Sequence, residues 1–253
     1  MKNMLFIMNP KAGRTTLKNS LVDVLEVFCN NDYAVRTYLT KSADDAERIV
    51  QEEGANYDVI VCAGGDGTLG NTVTGYMKSG IKVPLGYIPC GSTNDFARSM
   101  DIPRETVEAA EMIVKAEPFS IDIGSLNDKN FVYVAAFGMF SDTSYATPQN
   151  MKNIFGHAAY VLQGIKSLAN VPSYKMKVTI DGDEQEGEFI FGMVSNSISV
   201  GGFRSITRKG VEFDDGLFEG ILIRTMKTPA DLERVVRALL VSDTGDDNLV
   251  LQI

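Results

Sequence analysis

The chain has 253 residues, of which 44% are hydrophobic and 23% charged, a globular profile long enough for a sizeable core and for two domains. A net charge of −9 argues against nucleic acid as the main partner and against strong attraction of the whole protein to anionic lipid. No stretch reaches the roughly 18 apolar residues that span a bilayer. Cys29, Cys62 and Cys90 lie far apart and read as reduced core or near-core thiols of a cytosolic protein, and a lone histidine, His157, argues against a histidine-based zinc site or a Ser-His-Asp triad.

In chain order, "NMLFIM" (3–8) is a continuous apolar run stopped by Asn9-Pro10, a first strand. Leu17, Leu21, Val24, Leu25 and Phe28 fall at helical spacing. "YAVRTYLT" (33–40) reads as a strand, and "SADDAERIVQEEG" (42–54) as a helix capped by Ser42 and ended at Gly54. The strand "YDVIVCAGG" (57–65), a helix over 70–79, the strand "VPLGYIP" (83–89) and the helix "TVEAAEMIVKA" (106–116) follow. Strands apolar on both faces that alternate with helices predict an α/β domain with a covered parallel sheet over 1–126. Beyond it, "FVYVAAFGMF" (131–140), "SYKMKVTI" (173–180), "EFIFGMVSNS" (188–197) and "LFEGILIR" (217–224) are strand-like, with "DGDE" (181–184) as a hairpin turn and helices near 151–169 and 229–241. They predict a β-rich second domain over 127–253.

Three glycine-bearing segments follow strands: "NPKAG" (9–13), "GGDGT" (64–68) and "CGSTND" (90–95). Ligands of parallel sheets bind at the carboxyl ends of strands. Backbone N–H groups of such turns converge on phosphate, and a following helix adds its dipole. Gly64, Gly65 and Gly67 supply a turn and Thr68 a hydroxyl. Asp66, expected in a solvent-reachable loop, repels phosphate, but it can act through Mg²⁺, a magnesium-held water or an oriented hydroxyl. The segment is not a Walker A loop. It fits G-x-G-x-x-G at Gly65, Gly67 and Gly70, without the acidic residue a dinucleotide fold wants after the next strand. Arg204, Arg208 and Lys209 form a basic cluster that reads as a wet loop or as a face toward lipid headgroups or nucleotide phosphates.

"NPKAG", "GGDGT" and "PCGSTNDFAR" (89–98) resemble the three signature segments of the diacylglycerol kinase catalytic domain family, which includes bacterial soluble lipid kinases and the sphingosine and ceramide kinases. "FDDGLFEGILI" (213–223) resembles its magnesium-binding segment. "GGDGT" is shared with NAD kinases, whereas "GSTNDFAR" separates the lipid kinases from them. The resemblance implies a nucleotide-binding α/β domain, a β-rich second domain and ATP between them. It implies nucleotide contacts at Asn9, Pro10, Lys11, Ala12, Gly13, Thr40, Gly64 through Thr68 and Thr93. It places structural Mg²⁺ at Asp215, the Leu217 carbonyl and Glu212, linked by Asp95 and Asp122 to a site where Asp66 serves catalysis.

The family's proposed base, an aspartate in a late Asp-Gly-Glu motif, has no match, because Asp181-Gly182-Asp183-Glu184 reads as a distal turn. The chain is therefore expected to stop short of its natural end, or to belong to a shortened homologue, and "NLVLQI" (248–253) reads as a strand awaiting a partner. The expected function is an ATP- and Mg²⁺-dependent lipid kinase acting on a hydroxyl such as that of diacylglycerol. The expected protein is cytoplasmic, meets its lipid at a membrane surface as a peripheral protein, and leaves homodimerisation open. An NAD kinase-like phosphotransferase and a non-catalytic nucleotide- or lipid-binding regulator are the alternatives.

Overall fold

The computed structural model describes residues 1–12, 16–138, 172–197, 211–241 and 249–252. The chain divides into two compact units, Met1–Tyr133 and Val134–Ile253.

The first unit runs β1 (Lys2–Met8), α1 (Thr16–Asn30), β2 (Tyr33–Leu39), α2 (Asp45–Glu53), a 3₁₀ turn (Gly54–Asn56), β3 (Val59–Gly64), α3 (Asp66–Ser79), β4 (Leu85–Pro89), α4 (Asp95–Ser99), α5 (Thr106–Lys115), β5 (Gly124–Leu126) and β6 (Lys129–Phe131). The first four strands form one parallel sheet in the order β2-β1-β3-β4. The apolar runs of β1 and β3 are buried on both faces, as the sequence predicts. Met4, Phe6 and Met8 of β1 share a core with Val24 and Phe28 of α1 and Ala109 and Ala110 of α5. Leu5 and Ile7 face the other way, onto Ala46, Ile49 and Val50 of α2. Each of the larger of these side chains, the alanines aside, contributes about 1.5–3 kcal/mol by leaving water. The Phe6 and Phe28 rings meet edge to face, their centroids 5.6 Å apart.

Helices α2 and α3 pack closely because Gly75 has no side chain. A Cβ there would strike the Glu47 carbonyl oxygen. On this seam Glu47 accepts from Lys78 at 2.8 Å.

Three local expectations are corrected. Helix α2 begins at Asp45 and is not capped by Ser42. Asp45 Oδ2 instead reaches back to the N–H groups of Lys41 (2.6 Å) and Ser42 (3.1 Å), so a first-turn carboxylate does the work assigned to the serine. Helix α3 begins at Asp66, four residues earlier than its apolar pattern suggests. Cys29 is exposed, one position off the stripe that buries Phe28, whereas Cys62 and Cys90 are buried.

The second unit contains β7 (Val134–Gly138), β8 (Tyr174–Ile180), β9 (Asp183–Ser195), β10 (Glu219–Arg224), α6 (Pro229–Val241) and β11 (Val250–Gln252). Its antiparallel sheet runs β11-β10-β9-β7, with β8 also on β9. Val235 and Ala238 of α6 cover the face bearing Ile190, Met193, Ile221 and Ile223. The turn at Asp181-Gly182 joins β8 to β9 with both residues at positive φ (50° and 98°), as the hairpin reading requires. The end of "NLVLQI" does pair, on β10. The helix expected near 151–169, His157 and the Arg204, Arg208 and Lys209 cluster lie outside the described residues. The chain is thus an α/β protein with a parallel N-terminal sheet and a separate antiparallel, β-rich part.

Candidate functional site

The three glycine-bearing segments leave adjacent strands of the first sheet, at its carboxyl edge. Asn9 follows β1 and continues its ladder, its N–H donating to Ala63 O at 2.9 Å. Its side chain does two jobs. Oδ1 accepts from the Lys11 N–H at 3.0 Å and shapes the first loop, while Nδ2 donates to Thr68 Oγ1 at 2.9 Å and ties that loop to the second. Pro10 and Ala12 are half-buried, and Lys11 is exposed. Gly13 lies outside the described residues. Thr40 extends the β1–β2 ladder, its N–H donating to Met8 O at 2.9 Å, and is 7% exposed.

The second loop turns within one residue. Gly64 closes β3, and a Cβ there would lie 2.5 Å from Thr68 Cβ, so only glycine lets Thr68 fold back over the strand end. Gly65 is extended, and its carbonyl accepts from the N–H groups of Thr68 (2.9 Å) and Leu69 (3.1 Å), starting α3. Gly67 is exposed, and among the described residues nothing lies within 4 Å of a Cβ built on it. The amino end of this 14-residue helix carries the partial positive charge that can receive an anion.

The third loop packs backbone to backbone on the second: a Cβ on Gly91 would lie 2.6 Å from Gly65 Cα. Asn94 takes the left-handed conformation (φ 50°) and holds Gly91 at both ends, its Oδ1 accepting from Gly91 N–H and its Nδ2 donating to Gly91 O, each at 2.8 Å. Thr93 is half-buried between them. Asp95 opens the short helix α4 and is 5% exposed; its Oδ1 accepts from Arg98 at 3.3 Å.

Asp66 differs from expectation. It sits in the first turn of α3, half-buried, and its two oxygens accept from the N–H groups of Asp95 (3.2 Å) and Phe96 (3.4 Å). Burial pushes its carboxyl above the usual aspartate range, against the opposing pull of those two N–H groups. Each oxygen takes a single N–H at long range, which ties the carboxylate to the start of α4 and leaves part of its accepting capacity unused by these two bonds. Asp122 is half-buried between Ile121 and Ile123, which pack on the Cys62, Leu69 and Phe96 cluster.

In the second unit, Gly216 (φ 78°) makes the turn after Asp215, whose Oδ1 accepts from the Leu217 N–H at 2.9 Å. Glu212, Asp215 and Leu217 are all exposed. Among the described residues no three carboxylate, histidine or cysteine side chains converge as a ready metal site. Glu219, which the sequence reading passed over, is half-buried with an Oε2 that finds no hydrogen-bond partner among the described residues. Burial first, and the charge of Asp215 further, raise its carboxyl above the usual range.

Glycine turns at parallel strand ends, one of them opening a helix, mark an α/β protein of the class whose ligands bind at the carboxyl edge of the sheet. The family model for the diacylglycerol kinase catalytic domain matches residues 3–126, nearly the whole first unit. The chain is 31% identical over 252 residues to a diacylglycerol kinase of Bacillus subtilis (strain 168), covering 99% of this chain and 83% of that one. It is 33% identical over 226 residues to a diacylglycerol kinase of Staphylococcus aureus (strain NCTC 8325 / PS 47), covering 88% and 70%. A crystal structure from Bacillus anthracis str. Sterne, assigned by name to the diacylglycerol kinases, superposes with a TM-score of 0.78 at 27% identity, over 100% of this chain and 83% of that one. The chain belongs to the diacylglycerol kinase family, and with it to the kinases.

Proposed function

We propose that this chain transfers the γ-phosphate of ATP to a lipid hydroxyl, with diacylglycerol as the acceptor its relatives' names point to. The observation that carries the reading is the joining of three strand-end loops into one frame, through Asn9–Thr68, Gly65–Gly91 and Asp66 to the Asp95 and Phe96 N–H groups. The amides of Gly65 and Gly67 at the amino end of α3, with the Thr68 hydroxyl, hold the phosphates. Asn9, Pro10, Lys11, Ala12, Gly13, Thr40, Gly64 and Thr93 border the nucleotide. Asp66 orients the transferring end, and Asp95 and Asp122 support it. Transfer of this kind is mostly positioning and charge stabilisation.

Mg²⁺ fits the second unit. A hard cation takes oxygen ligands, and the Asp215 carboxylate, the Leu217 carbonyl and Glu219 offer them, with Glu212 beside the same turn. The buried Oε2 of Glu219, unpartnered among the described residues and near the charge of Asp215, is the observation that favours a cation there. Bound Mg²⁺ would supply positive charge against these carboxylates.

The test is incubation with γ-labelled ATP and a panel of acceptors: diacylglycerol, ceramide, sphingosine and NAD. Label in phosphatidate supports the proposal. Label in NADP alone, or ATP binding with no transfer to any lipid, overturns it.

A further inference from the structure

Tyr87 lies in β4 at a position that reads as plain core, and it is 4% exposed. Its ring packs at a tilt on Phe96, centroids 6.1 Å apart. A buried hydroxyl costs desolvation that a phenylalanine avoids, so its partners say what it is for. Both belong to the loops above it. The O–H is shared between Gly64 O at 3.1 Å and Asn94 Oδ1 at 3.4 Å, the last residue of β3 and the residue that locks the third loop. Neither acceptor depends on it for satisfaction. Gly64 O also accepts from Cys90 N–H at 2.7 Å, and Asn94 Oδ1 from Gly91 N–H at 2.8 Å. The fold therefore does not need this hydrogen bond to pair a buried group. What it adds is a common tether beneath the second and third loops, at the level where Gly65 and Gly91 touch.

We infer that the Tyr87 hydroxyl is a positioning group for nucleotide binding, holding the Gly64–Thr68 loop and the Gly91–Asn94 loop at one spacing so that both present their amides to the same phosphates. This rests on the kinase reading above. Two further observations agree with it. Burial first, then the charge of Asp66, push the phenol above its ordinary range, which keeps it a neutral donor next to that carboxylate. Gly64 is also the residue against which Thr68 folds, and Thr68 in turn holds Asn9, so the tether reaches the first loop as well.

Tyr87→Phe keeps the ring and removes only the tether. Tyr76→Phe is the control: it removes a hydroxyl that donates to Val83 O at 2.8 Å, on the far end of α3 from the loops. Calorimetric titration with ATP in excess Mg²⁺ should show Kd for Tyr87→Phe raised by about three- to ten-fold, the range one hydrogen bond commands. In a transfer assay its KM for ATP rises in step, while kcat stays within about two-fold of the unaltered protein. Tyr76→Phe should bind ATP as the unaltered protein does. An unchanged Kd for Tyr87→Phe, or an equal loss in Tyr76→Phe, overturns the inference and leaves the kinase reading standing. Absence of ATP binding by the unaltered protein overturns both.

Discussion

Replacing Asp66 separates its two roles. Asp66→Ala removes the acceptor of the Asp95 and Phe96 N–H groups, at 3.2 and 3.4 Å, and these residues are buried. Both bonds are longer than a typical N–H···O bond, so each is placed at the low end of the usual range, about 0.5–1 kcal/mol. The loss is then about 1–2 kcal/mol, a fall in Tm of roughly 2–8 °C for a chain of this size. Loss of a group that positions charge lowers phosphoryl transfer by about 100-fold or more. Asp66→Asn keeps one acceptor oxygen and turns an amide against the other N–H, so its Tm falls about half as far, yet its rate should be nearly as low. Thermal melts by circular dichroism and initial rates of label entering lipid read the two effects separately. A near-normal rate for Asp66→Asn would falsify the claim that the charge is used, leaving the carboxylate only as an anchor for α4. An Ala variant that melts with the unaltered protein would remove the anchor instead.

Because burial raises the Asp66 carboxyl and the proposed active form is ionised, the acid limb of kcat/KM should lie above the usual aspartate range, and a limb at or below that range contradicts the assignment. The same shift makes the ionised carboxyl less favourable to the fold than the protonated one, so the extra stability of the protonated form is present below the ordinary aspartate pKa and is lost as pH rises through the raised value. Glu47 has the opposite sign: the Lys78 hydrogen bond, the first of its causes, holds it below the usual range, so its contribution is present above the unfolded pKa and is lost as pH falls through the folded one. Glu47→Gln should therefore lose about 0.5–1 kcal/mol in urea titrations at neutral pH and nothing in strong acid; an equal deficit at both assigns the loss to packing. Gly91→Ala forces a Cβ to 2.6 Å from Gly65 Cα, so it should weaken ATP binding by about ten-fold or more as the loops part, and unchanged affinity would show that their spacing is unimportant. Mg²⁺ should raise the Tm of the unaltered protein and not that of Asp215→Ala; equal shifts would place the cation elsewhere.

Much of this was legible in the residues. Strands β1 and β3 read as unbroken apolar runs because helices cover both their faces, and turn glycines mark where such runs end. The start of α3 was missed because its first turn, Asp66 to Leu69, carries glycine and threonine that read as loop, and a backbone carbonyl from Gly65 starts it in place of a side-chain cap. Helix α4 spans only Asp95–Ser99, too short for periodicity to register. Tyr87 was illegible for a deeper reason. In "LGYIP" it is one more large apolar residue, and its partners Gly64 and Asn94 are brought under its hydroxyl only by the parallel pairing of β3 with β4. Glu219 likewise gains meaning only when antiparallel pairing sets it opposite Ser195, at the buried end of β9.

The central claim is that three strand-end loops form one phosphate site, and amide chemical shifts recorded by NMR as ATP is added test it most directly. The largest changes should fall together, with one Kd, on Lys11, Ala12, Gly65, Gly67, Thr68, Gly91 and Thr93, the amides of all three loops. Changes confined to one loop, or centred on residues away from the carboxyl edge of the sheet, would contradict it.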